Sequence, residues 1–189
     1  MYQDIFWDIT ATLVRLNERQ NVPLAPRAGE GSWGGMWTDK HWMNTPGPLY
    51  CGQTDNSGTG PLDAPNNVHV DHKGYEFIFR QPVNLYELRQ VLQAAGDDPF
   101  QGYGANGDAH WSFDGVKEWW ARRHDLETEI DRRYKDQLTL ESNKDYPYFV
   151  ALQRWRDYLN TEMHLYLRVY AFFLIERRVP HDEDRLPDL

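Results

Sequence analysis

Residues 27–67 constrain the fold of this chain more than any other part of its sequence. Glycine and proline interrupt the segment too often for a helix of any length. It also carries large aromatic rings, at Trp33, Trp37, Trp42 and Tyr50. Such rings gain too much from burial to stay disordered, and long ordered loops in compact domains are often functional. We therefore expect an irregular but ordered segment, with short strands at most.

Amphipathic helices are predicted on both sides of this segment, because apolar residues recur there at helical spacing. The expected helices are residues 1–20, Asn84–Ala95, one of about 20 residues through Val116 and Tyr134, and one of about 30 residues from Pro147 to near Arg178. Asn84 is the expected N-cap of its helix, and Gly96 is the expected C-terminal stop. These four main helices would supply most of the core.

A β-hairpin is predicted between the irregular segment and the second helix. Val68–Asp71 and Tyr75–Arg80 have strand character and are joined by a short polar turn. A second glycine-rich loop covers residues 96–115, and the polar tail 180–189 is expected to fray. The prediction is a mainly helical α+β fold, a single domain over residues 1–189 with a small antiparallel β-hairpin or sheet and long ordered loops.

The chain has one cysteine, Cys51, which excludes an intrachain disulfide and a cysteine-rich zinc site. Stability must come from packing, which suits a reducing compartment. The N-terminal residues do not have the basic and apolar regions of a secretory signal. The longest wholly apolar run, Val169–Ile175, is far shorter than the roughly 20 residues that span a bilayer. We expect a soluble, cytoplasmic protein with no membrane partner and no cofactor.

The formal net charge of −9 bears on the choice of partner. A negative surface repels phosphate backbones, so nucleic acid is disfavoured. The same surface attracts a basic protein, because complementary fields speed encounter and help to select partners. Solubility alone is the other explanation of such a charge.

The strongest enzyme-like signal is formed by His69, Asp71 and His72, with Asp108 and His110 further along the chain. Histidine and carboxylate side chains are the usual ligands of a catalytic metal ion, and the candidate ligands are His69, Asp71, His72 and His110. Residues 69 and 71 share one face of a strand, but residue 72 already enters the turn, and the helical HExxH pattern is absent. A metal-dependent hydrolase is therefore the alternative function. We expect histidines with ordinary hydrogen bonds, no metal, and a buried Cys51 thiol rather than a nucleophile.

The irregular segment also offers a surface for protein recognition, because tryptophan rings dominate the energetics of interfaces. Exposed rings beside acidic side chains would suit a partner with a basic cleft. The candidate partner-binding residues are Trp33, Trp37, Asp39, Trp42, Asp55, Asp63 and Asp71. The alternative is that most of these rings fill the core beneath the loop.

Several stretches resemble immunity proteins of bacterial polymorphic toxin systems, including those delivered by Rhs or type VI secretion machinery. They are MYQDIFWDITATLVRLNER, GPLYCGQTDNSGTGPLDAPNNV, YEFIFRQPVNLYEL, AAGDDPFQGYGANGDAHW and the Trp119-Trp120 pair. The resemblance implies a small cytosolic toxin inhibitor that binds its cognate toxin protein and blocks the toxin's active site. It also implies a non-enzyme, and it assigns no contact residues.

Overall fold

The structure is a computed structural model of the chain, and it describes Tyr2 and residues 5–19, 34–138 and 147–189. The helices in these ranges are α1 (Ile9–Arg19), α2 (Gly60–Asp63), α3 (Leu85–Asp97), α4 (Phe113–Ala121), α5 (Arg123–Leu138), α6 (Pro147–Asn160) and α7 (Met163–Glu176). The strands are β1 (Tyr50–Cys51), β2 (Val68–Val70), β3 (Glu76–Ile78) and β4 (Tyr103–Gly104). The mainly helical α+β prediction is confirmed.

The strands form two separate antiparallel pairs. β2 pairs with β3, with His69 opposite Phe77, and this is the predicted hairpin with shorter strands. Its turn is closed by the Gly74 N–H, which donates to the Asp71 carbonyl at 3.0 Å. Gly74 has φ +91°, a conformation that a side chain would strain. β1 pairs with β4, so the two irregular segments meet each other as strands.

A single side chain, that of Asn44, joins the two strand pairs. Its amide oxygen accepts from the backbone N–H groups of Cys51 at 3.0 Å and Ile78 at 2.9 Å. Its amide nitrogen donates to the carbonyls of His41 at 2.8 Å and Cys51 at 2.7 Å. Asn44 is buried, and its four hydrogen bonds satisfy backbone groups that no strand reaches. In the described part of the irregular segment, residues 34–67, such polar side chains take the place of a sheet ladder.

Gln81 and Thr45 extend the same arrangement. The Gln81 amide donates to the carbonyls of Thr45 at 3.1 Å and Leu49 at 2.8 Å, and it accepts from the Leu49 N–H at 3.2 Å. The Thr45 hydroxyl donates to the Phe79 carbonyl at 2.6 Å. These bonds hold the chain between residues 44 and 51 against β3 and the residues that follow it.

The boundaries of α1 and α3 differ slightly from the prediction. α1 begins at Ile9 because the Asp8 carboxylate caps the Ala11 N–H at 2.8 Å. Asn84 is the N-cap of α3, as predicted, and accepts from the Glu87 N–H at 2.9 Å. Gly96 is not the stop, since α3 continues to Asp97.

The two longest predicted helices are each divided in the structure. A turn at Arg122 separates α4 from α5, and Thr161 and Glu162 separate α6 from α7. The division lets α4 pack on α7 while α5 packs on α6. At the second break the Thr161 hydroxyl donates to the Asp157 carbonyl at 2.6 Å, a local bond that competes with helix continuation. Among the described residues, no helix is both long and apolar enough to cross a membrane.

The core has two parts that meet at the hairpin. One is built mainly on α4, α5, α6 and α7 with Trp155 at its centre, and the other lies under α1, α3 and the strands. Asp108 joins them, because its carboxylate accepts from Thr10 on α1 at 2.6 Å and from Tyr170 on α7 at 2.7 Å. The tail expected to fray is docked instead: Leu186 is buried in the first part, and Arg168 donates to its carbonyl at 3.1 Å.

Replacing Asn44 with alanine should destabilise the chain strongly. Asn44→Ala leaves the backbone N–H groups of Cys51 and Ile78 without their acceptor in the core, and it removes one of two donors from the carbonyls of His41 and Cys51. The free energy of unfolding should therefore fall by about 3 kcal/mol or more. Urea unfolding measures this. The control is Asn160→Ala, an exposed asparagine at the end of α6, which should change stability by less than about 0.5 kcal/mol. Equal effects of the two changes would contradict the role given to Asn44.

Candidate functional site

A cleft of about 650 Å³ opens where the two glycine-rich segments meet the hairpin turn. Its lining residues are Gly34, Gly35, Met36, Asp39, His41, Gly52, Gln53, Thr54, Tyr75, Phe100 and Gly102. All but Tyr75 come from the two segments that the sequence distinguished as irregular. The fold therefore brings together, in one surface feature, loops that lie far apart along the chain.

The glycines of the cleft allow its walls to approach each other closely. The Gly35 N–H donates to the Tyr103 carbonyl at 3.1 Å, and the Gly52 N–H donates to the Gly102 carbonyl at 2.7 Å. A Cβ atom on Gly102 would lie 2.3 Å from the carbonyl oxygen of Gln53, and a Cβ on Gly35 would lie 2.5 Å from the carbonyl carbon of Tyr103. The close approach of two backbone segments thus explains why these positions are glycine, and no ligand is needed to explain it.

The Asp98 carboxylate sets the conformation of the second loop. One oxygen accepts from the Gly102 N–H at 2.6 Å, and the other accepts from the N–H groups of Phe100 and Asp55, both at 3.1 Å. Asp98 is itself buried. The loop is therefore fixed from below, while the Phe100 ring stays 70% exposed above it.

Three exposed apolar side chains form the cleft rim, which we define as Met36, Tyr75 and Phe100. Their exposed fractions are 60%, 41% and 70%. Eight large apolar side chains are exposed among the described residues, and three of these eight cluster at this one cleft. Exposed apolar groups that gather beside a concave surface are typical of a site that binds another molecule.

His41 is a structural group at the cleft floor. Its Nδ1 accepts from the Met43 N–H at 3.2 Å, and its Nε2 faces the Asp71 carboxylate at 3.4 Å. Burial lowers the pKa of His41, more than its contact with Asp71 raises it. The ring also stacks on Phe77, with 5.3 Å between ring centroids. Both nitrogens are engaged, so this imidazole is placed to support the floor rather than to take a proton from a substrate.

Below the floor lies a buried carboxyl group, that of Glu76. It accepts from the Gly60 N–H and from the Tyr103 hydroxyl, both at 2.6 Å, and its backbone N–H donates to the hydroxyl of Thr54 at 2.9 Å. Burial raises the pKa of Glu76 to about 7. Cys51 lies in the same interior, and burial raises the pKa of its thiol, so it is a packed thiol as expected.

The acidic residues proposed for partner binding have different positions. Asp39 lines the cleft, and Asp71 lies beside it through His41. Asp55 is only 9% exposed and caps the loop through Ser57, whose N–H and hydroxyl it binds at 3.2 and 2.9 Å. Asp63 is on α2, away from the cleft lining. The predicted acidic surface is therefore reduced, at the cleft, to Asp39 and the partly buried Asp71.

The carboxylate of Asp71 also holds the hairpin turn. Its Oδ1 accepts from the N–H groups of Lys73 at 2.8 Å and Tyr75 at 2.9 Å. Burial acts to raise the pKa of Asp71, but these hydrogen bonds outweigh it and keep the pKa below its usual value. Since Asp71 positions Tyr75, it acts on the cleft rim as well as on the floor.

The proposed tryptophans are half-buried packing groups next to the cleft. The rings of Trp37 and His110 are stacked with 4.9 Å between their centroids, and the Lys40 ammonium lies 4.7 Å from the centroid of the Trp37 ring. The Arg122 guanidinium lies 4.6 Å from the centroid of the Trp42 ring, which packs at the edge of the core. Trp33 lies outside the described residues. Trp37 and Trp42 therefore pack against neighbouring side chains beside the cleft.

The four residues of the metal alternative do not come together. His69 is buried, His72 lies in the exposed turn, and His110 stacks on Trp37. Within the described parts of the chain, no three His, Cys, Asp or Glu side chains form a group that could hold a metal ion.

Sequence reasoning missed the cleft rim and His41. The sequence contained one signal for Phe100. This large ring lies between Pro99 and Gly102, in a stretch of turn-forming residues that disfavours helix and strand. No comparable signal marks Met36 or Tyr75, because their exposure depends on how the two loops meet.

The buried Glu76 carboxyl should make stability depend on pH. Its pKa of about 7 in the fold exceeds the ordinary 4.5, so the folded chain holds the proton more tightly. This contribution is fully present below about pH 4.5 and is lost as the pH rises through about 7. We expect the stability of Glu76→Gln relative to the native chain to increase by about 3 kcal/mol from pH 4.5 to pH 8.

Urea unfolding across this pH range measures the effect. Glu118→Gln, an exposed position on α4, is the matched control and should show no such trend. A constant difference between Glu76→Gln and the native chain at every pH would rule out the buried, protonated state of Glu76.

The cleft combines a floor of internally bonded polar groups with an apolar rim, which is an arrangement for binding. Its histidine has both nitrogens engaged, and the nearby thiol is buried. Comparison of the chain with protein-family models, with curated proteins and with solved structures found no match.

Proposed function

We propose that this chain is a binding protein that recognises another polypeptide through the cleft rim, and that the partner is the cognate toxin of a bacterial toxin–immunity pair. The observation that carries the proposal is the grouping of Met36, Tyr75 and Phe100 around one cleft. The toxin as partner rests on the sequence resemblance. Binding would block the toxin's active site and would need no chemistry from this chain.

The rim has the character of an interface anchor. The carboxylates of Asp98 and Asp71 accept hydrogen bonds from the backbone of loops that carry the rim, so little backbone order has to be acquired on binding. An aromatic ring, a phenol and a thioether together offer apolar area that adapts to a partner's side chains. A preorganised apolar patch beside a cleft favours tight binding and slow dissociation.

The negative charge of the chain favours a partner with a positively charged surface. The chain has a formal net charge of −9, and Asp39 lies in the cleft lining. A basic toxin surface would therefore be attracted at long range, and the association rate should fall as salt is added. The rim would then determine the dissociation rate, because buried apolar contacts are less sensitive to salt.

The double change Met36→Ala with Phe100→Ala should weaken toxin binding. The two side chains are largely exposed, so their loss should leave the fold intact and remove only the partner contact. We expect the dissociation constant for the proposed cognate toxin to rise by about 30-fold or more, which corresponds to about 2 kcal/mol. Calorimetric titration and protection of toxin-expressing cells measure the effect.

Tyr86→Ala is the matched control, because Tyr86 on α3 is 68% exposed but does not line the cleft. It should bind as the native chain does. An equal loss with Tyr86→Ala, or undiminished protection by the double variant, would contradict the proposed interface. Stoichiometric metal in untagged protein, lost on His69→Ala, would support the hydrolase alternative instead.

A further inference from the structure

The core contains a group of buried N–H donors that have no acceptor. Among the described residues, the buried side-chain atoms without a hydrogen-bond partner include His69 Nε2, Arg133 Nη2 and Trp155 Nε1. We call these three side chains the donor cluster. All three residues are buried. A buried donor without an acceptor is destabilising, so three such donors call for a physical explanation.

The three residues belong to β2, α5 and α6, and α6 packs against both of the other elements. The rings of His69 on β2 and Trp155 on α6 are 6.0 Å apart and nearly perpendicular. Arg133 on α5 donates through Nη1 to the carbonyl of Val70, the residue after His69. The guanidinium is close enough to act, together with burial, in lowering the pKa of His69. His69 is therefore the common neighbour of the other two donors.

The three nitrogens without a partner are all hydrogen-bond donors. The Nδ1 atom of His69 accepts from the Val70 N–H at 2.8 Å, so the proton of the neutral ring is on Nε2. A guanidinium and an indole have N–H donors and no acceptor. The donor cluster is thus complementary to a ligand that accepts hydrogen bonds.

The local charge limits the nature of that ligand. Arg133 is paired with the Glu129 carboxylate at 2.8 Å, and the Asp71 carboxylate also acts on Arg133. The ligand need not neutralise a free cation, and it must be small because all three residues are buried. We propose that the junction of β2, α5 and α6 is an internal binding site for a small hydrogen-bond acceptor, an ordered water molecule or a halide-sized anion, bound by His69, Arg133 and Trp155.

Such a ligand would connect the hairpin to the helices. His69 lies two residues before Asp71, which holds the hairpin turn and contacts the cleft floor. The site would therefore help to fix the cleft from behind, in the way that buried waters fix polar groups in other interiors. It is independent of the partner proposed above, because it lies inside the chain and not on the rim.

A crystal structure of the full chain, grown without chloride and then soaked in bromide, tests the site directly. We expect a density peak at about 2.7–3.3 Å from at least two of the three donor nitrogens. A peak with bromide anomalous signal identifies an anion site, and a peak without it identifies ordered water. Continuous protein density with no peak, or an indole that points at a neighbouring ring, overturns the proposal.

A solution measurement provides a second test with a built-in reference. The indole N–H of Trp119 donates to the Trp42 carbonyl at 2.9 Å, so it reports a bonded indole in the same protein. With resonances assigned from Trp155→Phe and Trp119→Phe, the Trp155 indole proton should be shifted downfield and protected from exchange like that of Trp119. A Trp155 resonance at the upfield position of an unbonded indole would overturn the site in solution.

Discussion

The amide of Asn44 bonds at once to the chain near His41, to β1 and to β3, and the order of the loop-rich half of the molecule depends on it. Two-residue strands have too few ladder bonds to hold a sheet together. Side chains that carry both donors and acceptors replace those bonds. Gln81 does the same with its amide oxygen and nitrogen. The Asp98 carboxylate replaces such bonds only as an acceptor.

This mode of construction explains how a surface can be irregular, rigid and partly apolar at once. The backbone around Phe100 and Tyr75 is fixed by the carboxylates of the buried Asp98 and the partly buried Asp71, so these two exposed side chains need not contribute to folding. Phe100 and Tyr75 can remain exposed because Asp98 and Asp71 have already fixed their backbones. A surface that is ordered before it meets a partner loses less entropy on binding.

The same interior tolerates an unusual number of polar groups. Glu76, His69 and Arg133 are all buried, and the charge of each is reduced or compensated in a different way. Burial raises the pKa of Glu76 and lowers the pKa of His69, and Arg133 is paired with Glu129. In a low-dielectric interior, such groups specify one arrangement, because every alternative leaves a charge or a donor unsatisfied. Here they surround the hairpin that connects the cleft to the helices.

The sequence alone determined the local elements of this fold. Helical spacing and the Asn84 cap located α3, alternation located the hairpin, and the aromatic content of residues 27–67 predicted order without regular structure. Tertiary packing decided where the long helices break, because α4 packs against α7 whereas α5 packs against α6. It also decided the cleft: Met36, Tyr75 and Phe100 converge only after Asn44 and Asp98 have joined segments distant in sequence. Periodicity reports on near neighbours along the chain, whereas a site built from three loops depends on long-range hydrogen bonds that no local pattern encodes.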